Sequence, residues 1–369
     1  MKPHPPQRCA GFSLVELMVA LVLGLVIMAG VLSIFVGMSQ SVRTETAISR
    51  LQENARFGLE KLSVDVRQAG FTGCVSTINV LLDTTAASYS PALYDLSRAL
   101  SGWEYTGTGP ATTFTSTTLA ATGVPVGNWD DAAGADLDAS FQNQVVPGSD
   151  VLIVRHAGPP LDLVADGNTP VNAADVNLKK PSGVPQDTIV LISDCAGADL
   201  FQNRSIGTAH KLNRDIGGSA PGNVNPASQN FSHEYDGTLQ VYTFSISAYY
   251  IGTGDSGEPT LFRRTYPTGG VDVETEELID GVETMQVRYG EDTDGDRIAD
   301  VYRAANTVGD WARVVSVKLG LLLRQRDEGR GEVDTATYGV GGMTFNPLDV
   351  RNVRRRTMNW TITLRNRVP

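Results

Sequence analysis

Cysteine is scarce. Three in 369 residues exclude a disulfide-dense scaffold and a cysteine-based zinc module. Positive charge is also short: Lys and Arg total 30 against 41 Asp and Glu, a formal charge of −11. A general nucleic-acid binder needs a basic footprint, so no nucleic-acid partner is expected. Charged residues make up 19% and hydrophobic ones 41%, the balance of a globular chain. Catalytic signatures are missing as well. There is no H-E-x-x-H, no G-x-S-x-G and no Walker loop, and His156, His210 and His233 stand far apart. Gly252-Thr253-Gly254-Asp255-Ser256-Gly257 fits G-x-G-x-x-G, but a strand-like segment follows it. A dinucleotide site requires a helix there, so a hairpin loop is expected instead.

The N-terminus carries the strongest signal. Residues 1–11 contain Lys2, Arg8 and three prolines but no acid; residues 17–42 contain no charge at all. About 20 apolar residues cross a bilayer as a helix, so this run is long enough to span. The cationic leader puts Met1 in the cytoplasm and the chain beyond about residue 41 outside. A cleaved signal peptide has an apolar core of only about 7–15 residues. A plain anchor leaves Glu16 unexplained, because an acid at the membrane edge is costly without a partner.

Arg8-Cys9-Ala10-Gly11-Phe12-Ser13-Leu14-Val15-Glu16, followed by an apolar helix, resembles the class III signal of type IV pilins and type II secretion pseudopilins. The resemblance implies that a prepilin peptidase cuts between Gly11 and Phe12 and methylates the new Phe12 amine. Glu16 lies one helical turn from that amine. In a stack of subunits its carboxylate meets the ammonium of a neighbour, and in low dielectric such a pair is strongly attractive. The resemblance thus implies that Glu16 is the assembly residue. The apolar helix has no proline, unlike many major pilins; Gly24, Gly30 and Gly37 are its flexible positions.

Past the membrane, Ile48, Leu51, Ala55, Leu59, Leu62 and Val66 form a stripe at helical spacing, opposite Arg43, Glu45, Arg50, Glu53, Arg56, Glu60 and Lys61. The helix is expected to end near Ala69 with Gly70 as its cap. Residues 75–149 hold seven acids and one base, Arg98, and read as an inserted, loop-rich lobe. Period-2 alternation then predicts strands. Tyr242, Phe244, Ile246, Ala248 and Tyr250 share one face; Val315, Val317, Leu319, Leu321 and Leu323 another; Trp360, Ile362 and Leu364 a third. Residues 150–156 and 188–193 are shorter strands. The fold class is α+β: a long N-terminal helix on a mostly antiparallel sheet. The expected division is leader 1–11, membrane and filament-core helix 12–42, periplasmic half-helix 43–70 and β-rich domain 71–369.

Further motifs sharpen the resemblance. Gln68-Ala69-Gly70-Phe71-x-Gly73-Cys74, Ser193-Asp194-Cys195, Leu278-Ile279-Asp280-Gly281-Val282-Glu283-x-Met285-Gln286-Val287-x-Tyr289-Gly290 and Trp360-Thr361-Ile362-Thr363-Leu364-Arg365-Asn366-Arg367 together look like the PilW family of minor pilins, related to J-type pseudopilins. That family implies a non-enzymatic subunit that helps initiate type IV pilus assembly and sits at the pilus tip. Its implied partners are prepilin peptidase, other minor pilins, the major pilin, a PilY-type tip protein and inner-membrane lipid. The implied location is the bacterial inner membrane, single-pass with a periplasmic domain, then the pilus surface. A J-type pseudopilin of type II secretion is the alternative; an anchored periplasmic enzyme or sensor is a third.

Three local features remain. Cys9 is lost with the leader, which leaves Cys74 and Cys195 outside the inner membrane, where disulfides persist. The expectation is a disulfide, the alternative two buried thiols. No cofactor is required, but Asp292, Asp294, Asp296 and Asp300 resemble a calcium loop. Arg297 stands where such loops have glycine and no closing Glu follows, so the alternative is an acidic hairpin turn between 286–289 and 301–303. Arg351, Arg354, Arg355, Arg356, Arg365 and Arg367 make a basic tail without acids. It reads first as a solvated strand edge, then as a docking patch for an acidic neighbour, and last as a DNA contact.

Overall fold

The computed structural model describes residues 13–366 apart from 76, 87–88, 96–97, 218–220, 267–272, 327–332 and 349–352. The leader with Cys9 and Gly11, as well as Phe12, Arg351 and Arg367, lie outside the described residues.

A single helix, Leu14–Gln68, runs for 55 residues, about 80 Å at 1.5 Å per residue. Its first 26 residues, Leu14–Ser39, have a mean hydropathy of 2.9 and none of them is buried. Its last turns bury Ala55, Leu59, Leu62 and Val66, and its cap Ala69 is buried with them, at the spacing expected of one apolar stripe. The side chains of Ile48 and Leu51 lie outside the description. The helix stops where foreseen: Gly70 has φ +73°, a left-handed conformation that an L side chain resists. Its N–H leaves the helix and donates to the Arg155 carbonyl at 2.9 Å.

The helix lies on two sheets. In the nine-stranded sheet the order runs Asn79–Val80, Ala198–Gln202, Ile189–Ser193, Gln240–Thr253, Val151–Leu161, Leu100–Tyr105, Trp129–Asp130, and Pro259–Tyr266 with Glu274–Asp280 branch from Gln240–Thr253. All its pairs are antiparallel except the one joining Asn79–Val80 to Ala198–Gln202. The four-stranded sheet is antiparallel throughout, in the order Val301–Arg303, Val282–Glu291, Val314–Arg326, Val353–Thr363. A small sheet of Tyr338–Val340, Met343–Asn346 and Thr113–Thr115 covers Leu322.

Alternation sorts the strands as predicted, with one departure. Tyr242, Phe244, Ile246, Ala248 and Tyr250 share a core with Trp103, Trp129 and Phe141, while Tyr249 and Ile251 turn to the helix. Val317, Leu319, Leu321, Leu323, Ile362 and Leu364 also meet the helix. Val315 does not. The pairing skips from Ser316–Gly290 to Val314–Glu291, and this bulge turns Val314 into the helix core in place of Val315. Residues 75–149 are not set apart as a lobe. Leu100–Tyr105 pairs with Val151–Leu161 inside the large sheet, and Thr113–Thr115 pairs with Met343–Asn346.

Candidate functional site

At the membrane end, Glu16 occupies the first helical turn. Its Oε2 accepts the Ser13 N–H at 3.0 Å, which satisfies one of the donors a helix start leaves open. From Leu17 to Val42 no other charge occurs, so Glu16 is the only carboxylate the apolar face presents to a neighbour. Its proposed partner, the Phe12 amine, is outside the described residues.

The other end of the helix is pinned to the sheets. Gly58 lets the backbone approach the Glu274–Asp280 strand: a Cβ there would sit 2.3 Å from Ile279 Cγ1. Lys61 pairs with Glu276 on the same strand. Asp65 is buried and reaches both long strands behind it. Tyr249 Oη donates to its Oδ2 at 2.6 Å, and Arg263 Nη2 lies 3.1 Å from the same oxygen. His156 Nε2 stands 3.9 Å from Oδ1, beyond hydrogen-bond reach, with its Nδ1 at 2.9 Å from the Ala157 carbonyl. Burial alone would raise the Asp65 carboxyl, but His156, Tyr249 and Arg263 outweigh it and hold it below the usual carboxylate range. A group depressed in the folded state contributes stability above its unfolded pKa of about 3.9 and loses it as pH falls through the folded value. Asp65→Asn should therefore lower stability by about 1.5–3 kcal/mol at pH 7. The deficit should shrink toward pH 3. Urea midpoints of the detergent-solubilised chain at the two pH values measure both.

The four-stranded sheet holds two further charge clusters. Arg355 donates to both oxygens of Glu283, at 2.8 and 3.0 Å, and its Nη1 lies 3.2 Å from Asp334 Oδ2; the Arg355 and Glu283 side chains are fully buried. Arg355 thus leaves the basic surface patch that the sequence suggested. It faces inward because Glu283 waits opposite. Arg354 and Arg356 are partly exposed and exposed beside it. Behind Leu100–Tyr105, Arg288 Nη1 binds Glu104 Oε2 at 2.7 Å and lies 3.6 Å from Asp150 Oδ2. Asp150 also accepts the Val287 N–H at 2.8 Å. One guanidinium cannot neutralise two buried acids: burial, and after it the charge of Glu104, push Asp150 well above the usual range.

Cys74 and Cys195 form a disulfide, with Cα atoms 5.2 Å apart. It ties the segment after the helix to the turn between Ile189–Ser193 and Ala198–Gln202, and both cysteines are exposed rather than buried. Beside it, His233 Nε2 meets Asp194 Oδ2 at 2.9 Å and His233 Nδ1 meets Ser232 Oγ at 3.0 Å. Sequence spacing gave no hint of this Ser-His-Asp contact. The Ser232 hydroxyl donates to Asp199 Oδ2 at 2.7 Å, as does the Tyr235 hydroxyl at 2.6 Å. The group clamps the 232–235 segment onto the turn that carries Cys195.

The acidic loop is the predicted hairpin between Val282–Glu291 and Val301–Arg303. Asp292, Asp294 and Asp300 bring ligand oxygens within 4.8 Å of one another. Asp296 does not join them; its Oδ1 accepts the Ile298 N–H at 2.7 Å. Asp292 accepts the Gly295 and Arg297 N–H groups, and Asp300 accepts that of Thr293. Arg297 takes φ +67°, the turn for which the missing glycine would be suited. A calcium ion takes six to eight oxygens, so these three carboxylates would hold it only with carbonyls and water beside them.

An apolar helix with one acid in its first turn, docked by its far end on mostly antiparallel sheets, defines a pilin-like α+β protein. Residues 6–32 match the prokaryotic N-terminal methylation motif, and residues 248–366 match the family described as type IV pilus-assembly protein W. The chain is thus similar to PilW over residues 248–366, behind an N-terminus similar to the methylation motif. Among solved structures, a type IV-like pilin from Thermus thermophilus is similar at 14% identity, over 51% of this chain and 89% of that one, with a TM-score of 0.23. No curated protein matches at a significant level.

Proposed function

We propose that this chain is a minor pilin that helps start a type IV pilus and forms part of its tip. The observation that carries the reading is the first-turn Glu16 on the otherwise uncharged, apolar segment Leu14–Ser39, none of whose 26 residues is buried. That helix can hold the precursor in the inner membrane. After cleavage between Gly11 and Phe12 it can pack in the filament core, with Glu16 of one subunit against the Phe12 ammonium of the next. A β-rich domain as large as residues 71–369 suits a low-copy cap better than a repeating shaft subunit. Family and architecture are those of structural proteins, with other pilins and the pilus machinery as partners. Calcium in the Asp292, Asp294 and Asp300 loop would brace one hairpin and supply no chemistry.

Glu16→Ala tests the reading. Intact mass should show the first eleven residues removed, as in the wild type, while recovery of the chain with other minor pilins drops at least tenfold. A chain that keeps its leader beside active prepilin peptidase, or a variant that co-purifies normally, overturns it. Partners from a secretion system would select the J-type pseudopilin instead.

A further inference from the structure

The Val353–Thr363 strand forms one edge of the four-stranded sheet. It pairs along its whole length with Val314–Arg326, without a register shift, and no described strand lies on its other side. The Leu364 N–H donates to the Val315 carbonyl at 2.9 Å. Alternation in an antiparallel ladder therefore turns the backbone of Met358, Trp360 and Ile362 inward and that of Thr357, Asn359, Thr361 and Thr363 toward the open edge. Those four side chains are uncharged. The stretch contains no proline, no bulge and no inward-pointing charge, the devices that keep natural edges from pairing. On the inner face Met358 and Trp360 pack on the helix core but stay half-buried, so the core stops short at this edge. The flanking charge has one sign. Arg365 bonds through its N–H to the Arg67 carbonyl at 3.1 Å, which brings two cations to the end of this edge, whereas Lys318, in register with Thr361, lays its ammonium on the Tyr302 ring across the sheet. Arg67 and Arg365 are exposed and make no salt bridge among the described residues.

We propose that this edge takes an extended acidic strand from a different protein subunit, beside residues 357–363. Its apolar side chains cover Met358 and Trp360, its acids face Arg67 and Arg365, and its backbone pairs with the four outward residues. A second copy fits worse, since the same edge of another copy brings Arg365 again and no acid anywhere in residues 353–366. The inference rests on the minor-pilin reading only for the source of the partner.

The test places a benzophenone amino acid at Asn359 of the full chain in cells and identifies the crosslinked peptides by mass spectrometry. The expected product joins Asn359 to an acidic, extended segment of another filament subunit. Thr361→Pro should cut its yield at least tenfold and Thr361→Val should not. Proline here removes only an outward N–H that the ladder with Val314–Arg326 does not use, so both variants should melt alike. If Thr361→Pro nevertheless fails to fold, Thr361→Asp serves, and it should repel an acidic strand to the same extent. Crosslinks into the chain's own 353–363 segment, no protein crosslink, or equal yields in all variants overturn the proposal. Presence of the chain in sheared pili, scored separately, bears on the minor-pilin reading alone.

Discussion

Arg355→Ala should destabilise the sheet domain by about 3–5 kcal/mol, because it leaves a buried carboxylate without its main partner. Glu283 is fully enclosed and receives two parallel bonds from Arg355; Arg324 Nη1, at 3.3 Å, is its weaker second donor. The same guanidinium lies against Asp334, which also accepts the Tyr338 hydroxyl at 2.7 Å, and it donates to the Leu348 carbonyl at 3.0 Å. Arg355→Lys keeps the charge and loses the fork, so it should fall between alanine and wild type. The double change Glu283→Met with Arg355→Met should recover much of the loss, since a buried pair and a hydrophobic replacement of similar volume are often close in free energy. Salt separates this from a surface effect: raising ionic strength from about 0.1 to about 1 M screens exposed pairs and should barely move the Arg355 deficit. Urea midpoints by tryptophan fluorescence provide all of these values. A deficit below about 1 kcal/mol for Arg355→Ala would show that the pair is not buried as described.

Reduction of Cys74–Cys195 should cost up to about 5 kcal/mol, the chain-entropy figure for a loop of this length. The bridge spans 121 residues, and within that loop lie Leu100–Tyr105 and Val151–Leu161 of the large sheet. Opening it frees the unfolded chain far more than it disturbs the folded one, where Asp194, Ser232 and His233 still hold the turn. Because both cysteines are exposed, dithiothreitol should reach them without prior unfolding. The urea midpoint should fall, m should change as the unfolded state expands, and the processed chain should gain two mass units. Equal midpoints with and without reductant, or two free thiols titrated in the native chain, would refute the prediction.

The elements read correctly from the sequence are those whose cause is local. Helical spacing from Ala55 to Val66, Gly70 at a left-handed cap and alternation along 240–250 depend on neighbours a few residues away. Asp65 is legible in the same pattern: it falls between Leu62 and Val66 on the apolar side of the helix, and a charge there signals a buried partner. Arg355 carried no such mark. Three consecutive arginines look alike in sequence, and only pairing with Val314–Arg326 puts one of them against Glu283. The bulge at Val315 and the entry of Leu100–Tyr105 into the large sheet are long-range pairings with no local trace.

For this protein the sequence by itself determined the apolar helix with its single acid and the α+β class, because each follows from hydropathy, charge and period along the chain. Tertiary structure alone decided which charges are buried, where the inserted segment belongs and which sheet edge stays open. Those outcomes depend on contacts between residues far apart in the chain, where the burial of one group depends on the partner that folding brings to it.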